Sequence, residues 1–514
     1  MRFLLLFLIP LLLLSKPFKV ATYNVENLFD ASFGGTEYEE YVPGKHNWNR
    51  RMVEIKLNHV AEVICDIDAA ILGLQEIENE AIFQRLQRRL QKVGCGYPYS
   101  AITHKKGAPI QVALLSRYPI ERTKEIEVSY APKVRNILEA RLKVQGHDLT
   151  LFVNHWKSKA YQGYESKRIA YAKALRARLA RLSPKREYIL LGDFNSDYNA
   201  YLTLEEKLDD THGKTGFSTI LQTQTEEFEI LHAKGLKHYT LWKELPVEQR
   251  WSQKFYGKLS TPDQIVLPQK MFDAKGIDYV NNSFGVFKAG YLFTKRGYIN
   301  RWRYKHGKHK AKGYSDHLPL FAYFDTVPYK AQKQTKSTNI MKEQSIAYLY
   351  TIDTLDSPCL LKNVTVVLKR GNSAVIKQSV EGRGVYLFGC AHGLHEGGRY
   401  DLRVESIKNY HGLKEITTAY VLKTYPDGNP QTYYMPFEKV LTKYAKQNEV
   451  VANIEGTYRH RRFYSHGIVL PIYFKKRDLT PPNGAKLKIA YAHLGYYKQL
   501  QLVIYSKKDF KIVE

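Results

Sequence analysis

Apolar runs of strand length alternate with stretches of helical period along the first part of the chain. Phe18 to Val25, rich in Val, Phe, Tyr and Thr, reads as a strand, and Pro17 suits its leading edge. Arg50 to Ile67 places Met52, Ile55, Val60, Val63 and Ile64 on one face and predicts an amphipathic helix. Ala69 to Leu74 is a continuous apolar run and predicts a buried strand, and Ala81 to Val93 predicts a second helix. Val112 to Leu115, Ile137 to Leu142, Leu149 to Val153 and Tyr188 to Leu191 are further strand candidates. A long basic helix, Glu165 to Leu182, closed by Pro184, precedes the last of them. Strands mixed with helices, with polar motifs at strand ends, predict an α/β layered domain over residues 17–326.

The texture then changes. Residues 327–344 are rich in Lys, Gln, Thr and Ser and predict a linker. Residues 345–424 show short alternating strands with Gly turns, the pattern of a small β-barrel, and Tyr425 to Pro436 is a turn-rich break before a second region at 437–514. The two regions share a weak repeat. Gly398-Arg-Tyr-Asp-Leu-Arg-Val followed by Tyr410-His-Gly-Leu-Lys-Glu-Ile is echoed by Gly484-Ala-Lys-Leu-Lys-Ile-Ala followed by Gly495-Tyr-Tyr-Lys-Gln-Leu-Gln-Leu. The expectation is two small barrels of oligonucleotide-binding type.

A chain of 514 residues exceeds one ordinary domain, and its formal net charge of +28 favours a polyanionic partner. Arg2 followed by the apolar run Phe3 to Leu14 reads as an export signal over residues 1–16. The run is shorter than the ~20 residues of a spanning helix, so no stable membrane span is expected, and the location predicted is periplasmic or secreted. An even count of four cysteines permits Cys65–Cys95 and Cys359–Cys390 pairs, with buried free thiols as the alternative. No CxxC spacing offers a thiolate zinc site.

The chemistry gathers in five short motifs at the ends of apolar runs: Thr22-Tyr23-Asn24-Val25-Glu26-Asn27, Leu74-Gln75-Glu76-Ile77-Glu78-Asn79, Val153-Asn154-His155-Trp156-Lys157-Ser158, Gly192-Asp193-Phe194-Asn195-Ser196-Asp197 and Ser315-Asp316-His317-Leu318-Pro319. Any one alone is an ordinary turn or strand end. Together they bring carboxylates, amides and imidazoles to one rim of a sheet, as phosphodiester hydrolysis requires. Glu76 is a hard-cation ligand, and Asn24 aligns a metal or phosphate beside it. Asp193 and Asn195 point the same way if strand geometry persists, one drawing a proton from water and the other orienting phosphate. Asp316 offers a metal ligand and His317 an imidazole toward phosphate. His317 needs an orienting carboxylate, for which Asp263 is the first choice and Asp278 the competitor.

These motifs resemble the endonuclease/exonuclease/phosphatase superfamily, the fold of deoxyribonuclease I, and are most similar to its secreted bacterial nucleases over residues 18 to 325. The resemblance implies a four-layered α/β sandwich followed by the mainly β C-terminal region with its two OB-like barrels. It implies that Asn24, Glu76 and Asp316 serve a divalent metal, and that His155, Asp193, Asn195, Asp263 and His317 are catalytic. Pro262 replaces the apolar residue that usually precedes the orienting Asp. Arg135 resembles a position that contacts substrate phosphate. The metal implied is Mg²⁺, with Mn²⁺ or Ca²⁺ as alternatives, and the activity is that of a metal-dependent phosphodiesterase or endonuclease.

The superfamily also holds phosphatases and sphingomyelinase-like phospholipases, so substrate rests on other features. Arg301-Trp302-Arg303-Tyr304-Lys305-His306-Gly307-Lys308-His309-Lys310 and Tyr458-Arg459-His460-Arg461-Arg462-Phe463-Tyr464 interleave cations with rings, which suits a nucleic-acid backbone and its bases. Arg301 and Arg303 are candidate substrate contacts. The Trp-x-Gly-Asp motif of 5-phosphatases is absent, because Leu190-Leu191 precedes Gly192. The expected substrate is DNA, with RNA open; no protein partner is predicted. The rival from another class is a non-catalytic binder that uses the barrels alone.

Overall fold

The computed structural model describes residues 16–255, 258–295, 297–326, 342–355, 358–440 and 446–513. The predicted export signal, but for Lys16, and most of the predicted linker lie outside the described residues. The chain divides into two compact units. The first comprises residues 1–201 and 208–333, and the second residues 202–207 and 334–514.

In chain order the first unit carries β1 (Phe18–Leu28), β2 (Ile71–Ile77), β3 (Tyr99–Ile102), β4 (Gln111–Ser116), β5 (Ile120–Ile126), β6 (Ile137–Val144), β7 (His147–His155) and β8 (Tyr188–Asp193). There follow β9 (His238–Thr240), β10 (Gln253–Phe255), β11 (Lys258–Ser260), β12 (Asp263–Pro268), β13 (Asp278–Tyr279), β14 (Gly285–Val286), β15 (Tyr304–Lys305), β16 (Lys308–His309) and β17 (Leu320–Asp325). One sheet runs β13-β17-β1-β2-β4-β3 with β14 beside β17, and the other runs β5-β6-β7-β8-β12-β9. The three predicted helices form as α1 (Arg50–Ile67), α2 (Glu80–Lys92) and α3 (Glu165–Leu179), the last stopping at Leu179 rather than Leu182.

Alternation along the strands builds the four layers. In β1, Val20 faces the second sheet while Ala21 and Tyr23 join the cluster under α1 and α2. Leu138, Leu151, Val153, Ile189 and Leu191 meet Val20, Ile71 and Val112 between the sheets. On the far side Phe152, Tyr188 and Leu190 pack on Tyr171, Ala172 and Leu175 of α3. Gly73 makes room for the second sheet: a Cβ there would lie 2.3 Å from Leu191 Cδ1. The result is a four-layered α/β sandwich, helix–sheet–sheet–helix. A disulfide joins Cys65 at the end of α1 to Cys95 just past α2.

The second unit is mainly β. Its strands are β18 (Lys342–Glu343), β19 (Cys359–Arg370), β20 (Ser373–Lys377), β21 (Gly384–Leu387), β22 (Arg399–Tyr410), β23 (Leu413–Tyr425), β24 (Glu449–Arg459), β25 (Arg462–Ser465), β26 (Ile468–Phe474), β27 (Lys486–Tyr497), β28 (Gln499–Ile504) and β29 (Phe510–Val513). Strands β19-β20-β21-β23-β22 close back on β19, and β24-β25-β26-β28-β27 close back on β24. Each five-stranded barrel has one parallel pair, β21–β23 in the first and β26–β28 in the second. The sequence repeat is therefore a topological one: its hairpins are β22–β23 and β27–β28. The possible Cys359–Cys390 pair is corrected, for both are buried free thiols. Each sulfur sits in the first barrel's apolar core.

Candidate active site

Pairing register assembles much of the site. In the second sheet His155 lies opposite Asp193 across the parallel β7–β8 pair, and Asp193 lies opposite Asp263 across the antiparallel β8–β12 pair. Three motifs distant in sequence thus form one row at the strand ends. In the first sheet Asn24 on β1 lies opposite Gln75 on β2, and the register slips between Gln75 and Ile77. Glu76 sits in that slip with φ at +68°, which turns its side chain out of the strand alternation and toward the row. The motif's last residue, Asn79, caps α2 by accepting from Ile82 N–H, so the strand end is pinned to the helix start.

Gly192 lets this row form. Its φ is +124°, and a Cβ would meet the Asn154 carbonyl oxygen at 2.1 Å, so no larger residue fits before Asp193. Strand geometry ends at Asp193, and the expectation that Asn195 shares its direction is corrected. Asn195 has φ of +48°, its N–H donates to Asp193 Oδ1 at 2.8 Å, and its side chain donates to the Trp156 carbonyl. An aspartate two residues before an N–H takes that bond in preference to continuing a strand.

The cleft is crowded with charge. His155 Nε2 lies 3.7 Å from Glu76 Oε1 and 3.6 Å from Asp193 Oδ2. Asn24 Nδ2 donates to both carboxylates, at 3.0 Å each, while its Oδ1 accepts from Glu26 N–H. The backbone contact fixes the amide's orientation, so Asn24 turns nitrogen, not a ligand oxygen, to the carboxylates. Asn27 N–H donates to Glu76 Oε2 at 2.8 Å. His317 Nδ1 lies 2.8 Å from Asp263 Oδ2, which also accepts from Ser252 Oγ at 2.6 Å. The choice between two candidate partners is thereby resolved for Asp263. Asp278 pairs through β13 with Asp325 on β17.

Burial and neighbours set the protonation. Burial pushes the Asp193 carboxyl up to about 7, against the pull of His317. Burial and then the Asp316 charge raise Glu76. Burial, with Arg135 and His317 adding to it, holds His155 well below the usual histidine range. Burial alone would lower His317, but the Asp263 and Asp316 carboxylates outweigh it and hold the ring well above that range. Gln253 Nε2 stands 2.9 Å from His317 Nε2. A protonated ring donates there, so it calls for the amide oxygen on that side, a half-turn of the Gln253 side chain.

Other predicted contacts are placed differently. Arg135 is buried, and its Nε and Nη2 donate to the carbonyls of His155 (3.1 Å) and Trp156 (2.7 Å), so it braces the β7 end as well as charging the cleft. Arg301 grips Glu26 Oε1 through Nε at 3.0 Å and lies 3.8 Å from Asp316. Arg303 is exposed. The basic stretch around them is a β15–β16 hairpin in which Trp302 and His309 are core residues joined by a 2.9 Å hydrogen bond, which removes two of its expected stacking rings. Sequence reasoning missed Glu26 and Lys56. Glu26 is pushed up to about 7 by burial and by Asp316, with Arg301 opposing. Lys56, wholly buried, is lowered to about 8 by burial while Glu26 and Glu76 oppose, and it donates to Glu26 O and Tyr314 O. Glu26 was visible as an acid two residues past Asn24; Lys56 stands on the apolar side of α1 and left no signal.

Two groups of ligand atoms lie within 4.8 Å of one another, Glu76–His155–Asp193 and Asp193–Asp263–His317, sharing Asp193. Asp316 is in neither among the described residues, and its Oδ1 is 3.9 Å from His317 Nε2. The donors are hard oxygens with imidazole, and Glu76, Asp193 and Asp263 bring carboxylates together in one cleft, so the residues fit a divalent cation.

An α/β sandwich with acids and histidines converging at its strand ends defines a phosphoesterase-type centre. Residues 19–326 match the model of the endonuclease/exonuclease/phosphatase family, and the chain belongs to that family of phosphoester hydrolases. Solved structures similar to it include Danio rerio TDP2 complexed with single strand DNA product, at 14% identity over 60% of this chain and 98% of that one, with a TM-score of 0.37. An endonuclease/exonuclease/phosphatase family protein from Bacteroides thetaiotaomicron is 13% identical over 62% of this chain and 99% of that one, with a TM-score of 0.38. TDP2 from Caenorhabditis elegans is 14% identical over 60% and 75%, with a TM-score of 0.36. No curated protein matches the chain.

Proposed function

We propose that the chain is a metal-dependent nuclease, an exported enzyme of the periplasm or the medium that hydrolyses phosphodiester bonds of DNA and, as the alternative substrate, RNA. One observation carries the reading: two acid–histidine groups share Asp193 in a single cleft. A net charge of +28 supports a polyanionic substrate. Among the described residues no helix is long and apolar enough to cross a membrane.

Glu76 and Asp316 would hold Mg²⁺, or Mn²⁺ or Ca²⁺ in its place, which would supply charge neutralisation at the phosphoryl oxygens. The chain's own groups do the rest. Asp193, poised near 7, takes a proton from the attacking water. Asn24 holds the Glu76 and Asp193 carboxylates at fixed distance, which pre-orients both. His317, kept cationic by Asp263, faces the developing negative charge and donates a proton to the leaving oxygen. His155 stays neutral, with Nε2 facing the same carboxylates at 3.6–3.7 Å.

The test is incubation of the purified protein with plasmid, single-stranded DNA, RNA and sphingomyelin, with Mg²⁺ or with EDTA. Nucleic-acid cleavage that needs the metal and falls steeply with salt supports the reading. Turnover of sphingomyelin alone, or a flat salt response, replaces it with a lipid or small-molecule phosphoesterase.

A further inference from the structure

Two neighbours in sequence, Ser252 and Gln253 at the head of β10, bracket the Asp263–His317 pair. Ser252 Oγ donates to Asp263 Oδ2 at 2.6 Å. The Gln253 amide stands 2.9 Å from His317 Nε2, the ring nitrogen that Asp263 leaves free. The backbone beneath both is pinned. Gln253 pairs with Ser260 across the β10–β11 hairpin and meets His317 in an antiparallel bridge. Ser252 N–H donates to the Ser260 carbonyl at 3.0 Å, and the Ser252 carbonyl accepts from Leu318 N–H at 2.8 Å. Main-chain register therefore sets the amide over Nε2, and rotation of the Gln253 side chain is the way to clear it.

A leaving oxygen that takes a proton from His317 must come within hydrogen-bond distance of Nε2, and that is where the amide stands. Asp316 Oδ1, at 3.9 Å, is too far from Nε2 to hold it. The ring is 7% exposed, and Gln253 is half-buried beside it. When Nε2 carries a proton, the amide oxygen is the atom that accepts it. The other amide atom then lies toward Ser260 Oγ, at the 3.3 Å of the present contact, and a hydroxyl accepts as readily as it donates. Both ends of the amide are thus partnered in the orientation that caps the ring.

We infer that Gln253 is a positioning residue for proton delivery: its amide holds His317 Nε2 in line before substrate binds, and the leaving oxygen of the substrate then takes the amide's place. The inference rests on the reading of His317 as proton donor in the proposed reaction. Substrate entry exchanges the hydrogen bond to the amide for one to the leaving oxygen. As the P–O bond breaks, its electron pair stays with that oxygen, which takes the Nε2 proton. The ring is left neutral, regains a proton from solvent, and the amide closes over it again. With Asp263 on Nδ1 and Gln253 on Nε2, the imidazole plane is fixed in advance, so little orientational freedom is lost in the reacting step.

The experiment measures kcat and KM of the full chain with Mg²⁺ on a series of aryl methyl phosphodiesters. The series runs from p-nitrophenyl, whose phenolate departs without a proton, to phenyl, whose poorer leaving group needs one. Gln253→Met keeps the length of the side chain and removes the acceptor. It is expected to match the parent on the p-nitrophenyl ester, to lose about tenfold in kcat on the phenyl ester, and to leave KM unchanged or lower, because no amide has to be displaced. Gln253→Ala behaves alike. Leu259→Ala, an exposed position on β11, keeps the parent rates throughout. Circular dichroism melts confirm folding. In EDTA the His317 Nε2–H resonance, shielded by the amide in the parent, exchanges faster with water in Gln253→Met. An equal loss across the series, a rise in KM or an unchanged exchange rate overturns the inference. If His317→Ala shows no dependence on the leaving group, the donor reading falls and the inference with it. Plasmid nicking by the same preparations tests the nuclease reading separately: a parent protein that turns over the esters but not plasmid removes that reading and leaves the role of Gln253 standing.

Discussion

Asp263 Oδ2 sits 2.8 Å from His317 Nδ1, while the same residue lies opposite Asp193 across the β8–β12 pair. One carboxylate therefore orients the imidazole and adds charge beside the residue proposed as base. Asp263→Asn keeps the shape but removes the anion that holds His317 protonated. The expected result is a fall in kcat of about 10²–10⁴-fold with KM little changed. Loss of the anion lowers the His317 pKa, so the alkaline limb of the pH–rate profile moves to lower pH. Steady-state kinetics across pH measure both.

Asp193 should govern the acid limb. Its folded value of about 7 is raised by burial, so the carboxylate required for proton abstraction is lost as pH falls through that region. The rate then declines below about pH 7 with unit slope, and Asp193→Asn leaves a low, pH-independent residue of activity in the same range. A metal held beside Asp193 moves the limb toward lower pH, which a series at several Mg²⁺ concentrations reveals.

The two close-packed glycines should respond differently to a methyl group. At Gly73 the obstacle is the end of a leucine side chain, which can shift, so Gly73→Ala costs about 1 kcal/mol, the low end for overpacking a core. At Gly192 the obstacle is a backbone carbonyl and φ is +124°, so Gly192→Ala costs about 3 kcal/mol and displaces Asp193. Urea unfolding and kcat, measured on both, separate a stability loss from a loss of site geometry.

The Cys65–Cys95 bridge closes a loop between α1 and the turn after α2. Chain-entropy reasoning for a loop of sequence separation 30 makes its loss worth about 3.6 kcal/mol, read as a lower midpoint for Cys65→Ala/Cys95→Ala. Thiol titration under denaturing, non-reducing conditions should find two free thiols, from Cys359 and Cys390, and four after reduction.

How much of this was legible beforehand depended on the kind of information each residue carries. Strand and helix periods are local, so α1 was placed residue for residue and β8 was recognised from its apolar run. The convergence of Asn24, Glu76, His155, Asp193, Asp263 and His317 was legible because each closes an apolar strand run or adjoins one. Asp263 and Asp278 looked alike because register, a non-local property, separates them. Asn195 was misjudged because the turn after Asp193 is decided by a side chain capping an N–H. Trp302, His309, Tyr458 and Phe463 read as surface rings because hairpin packing decides which ring faces inward. Gln253, which meets His317 through an isolated bridge, carries no signal in the chain at all.

The central claim is that a divalent cation gripped at Glu76 lets this cleft cut nucleic-acid phosphodiesters. Plasmid nicking by the full chain and by Glu76→Ala, each with Mg²⁺ and with EDTA, tests it most directly. The account predicts cleavage by the parent protein with Mg²⁺, none in EDTA, and a loss of at least about 10²-fold in Glu76→Ala. Cleavage that persists undiminished in EDTA or in Glu76→Ala would contradict it.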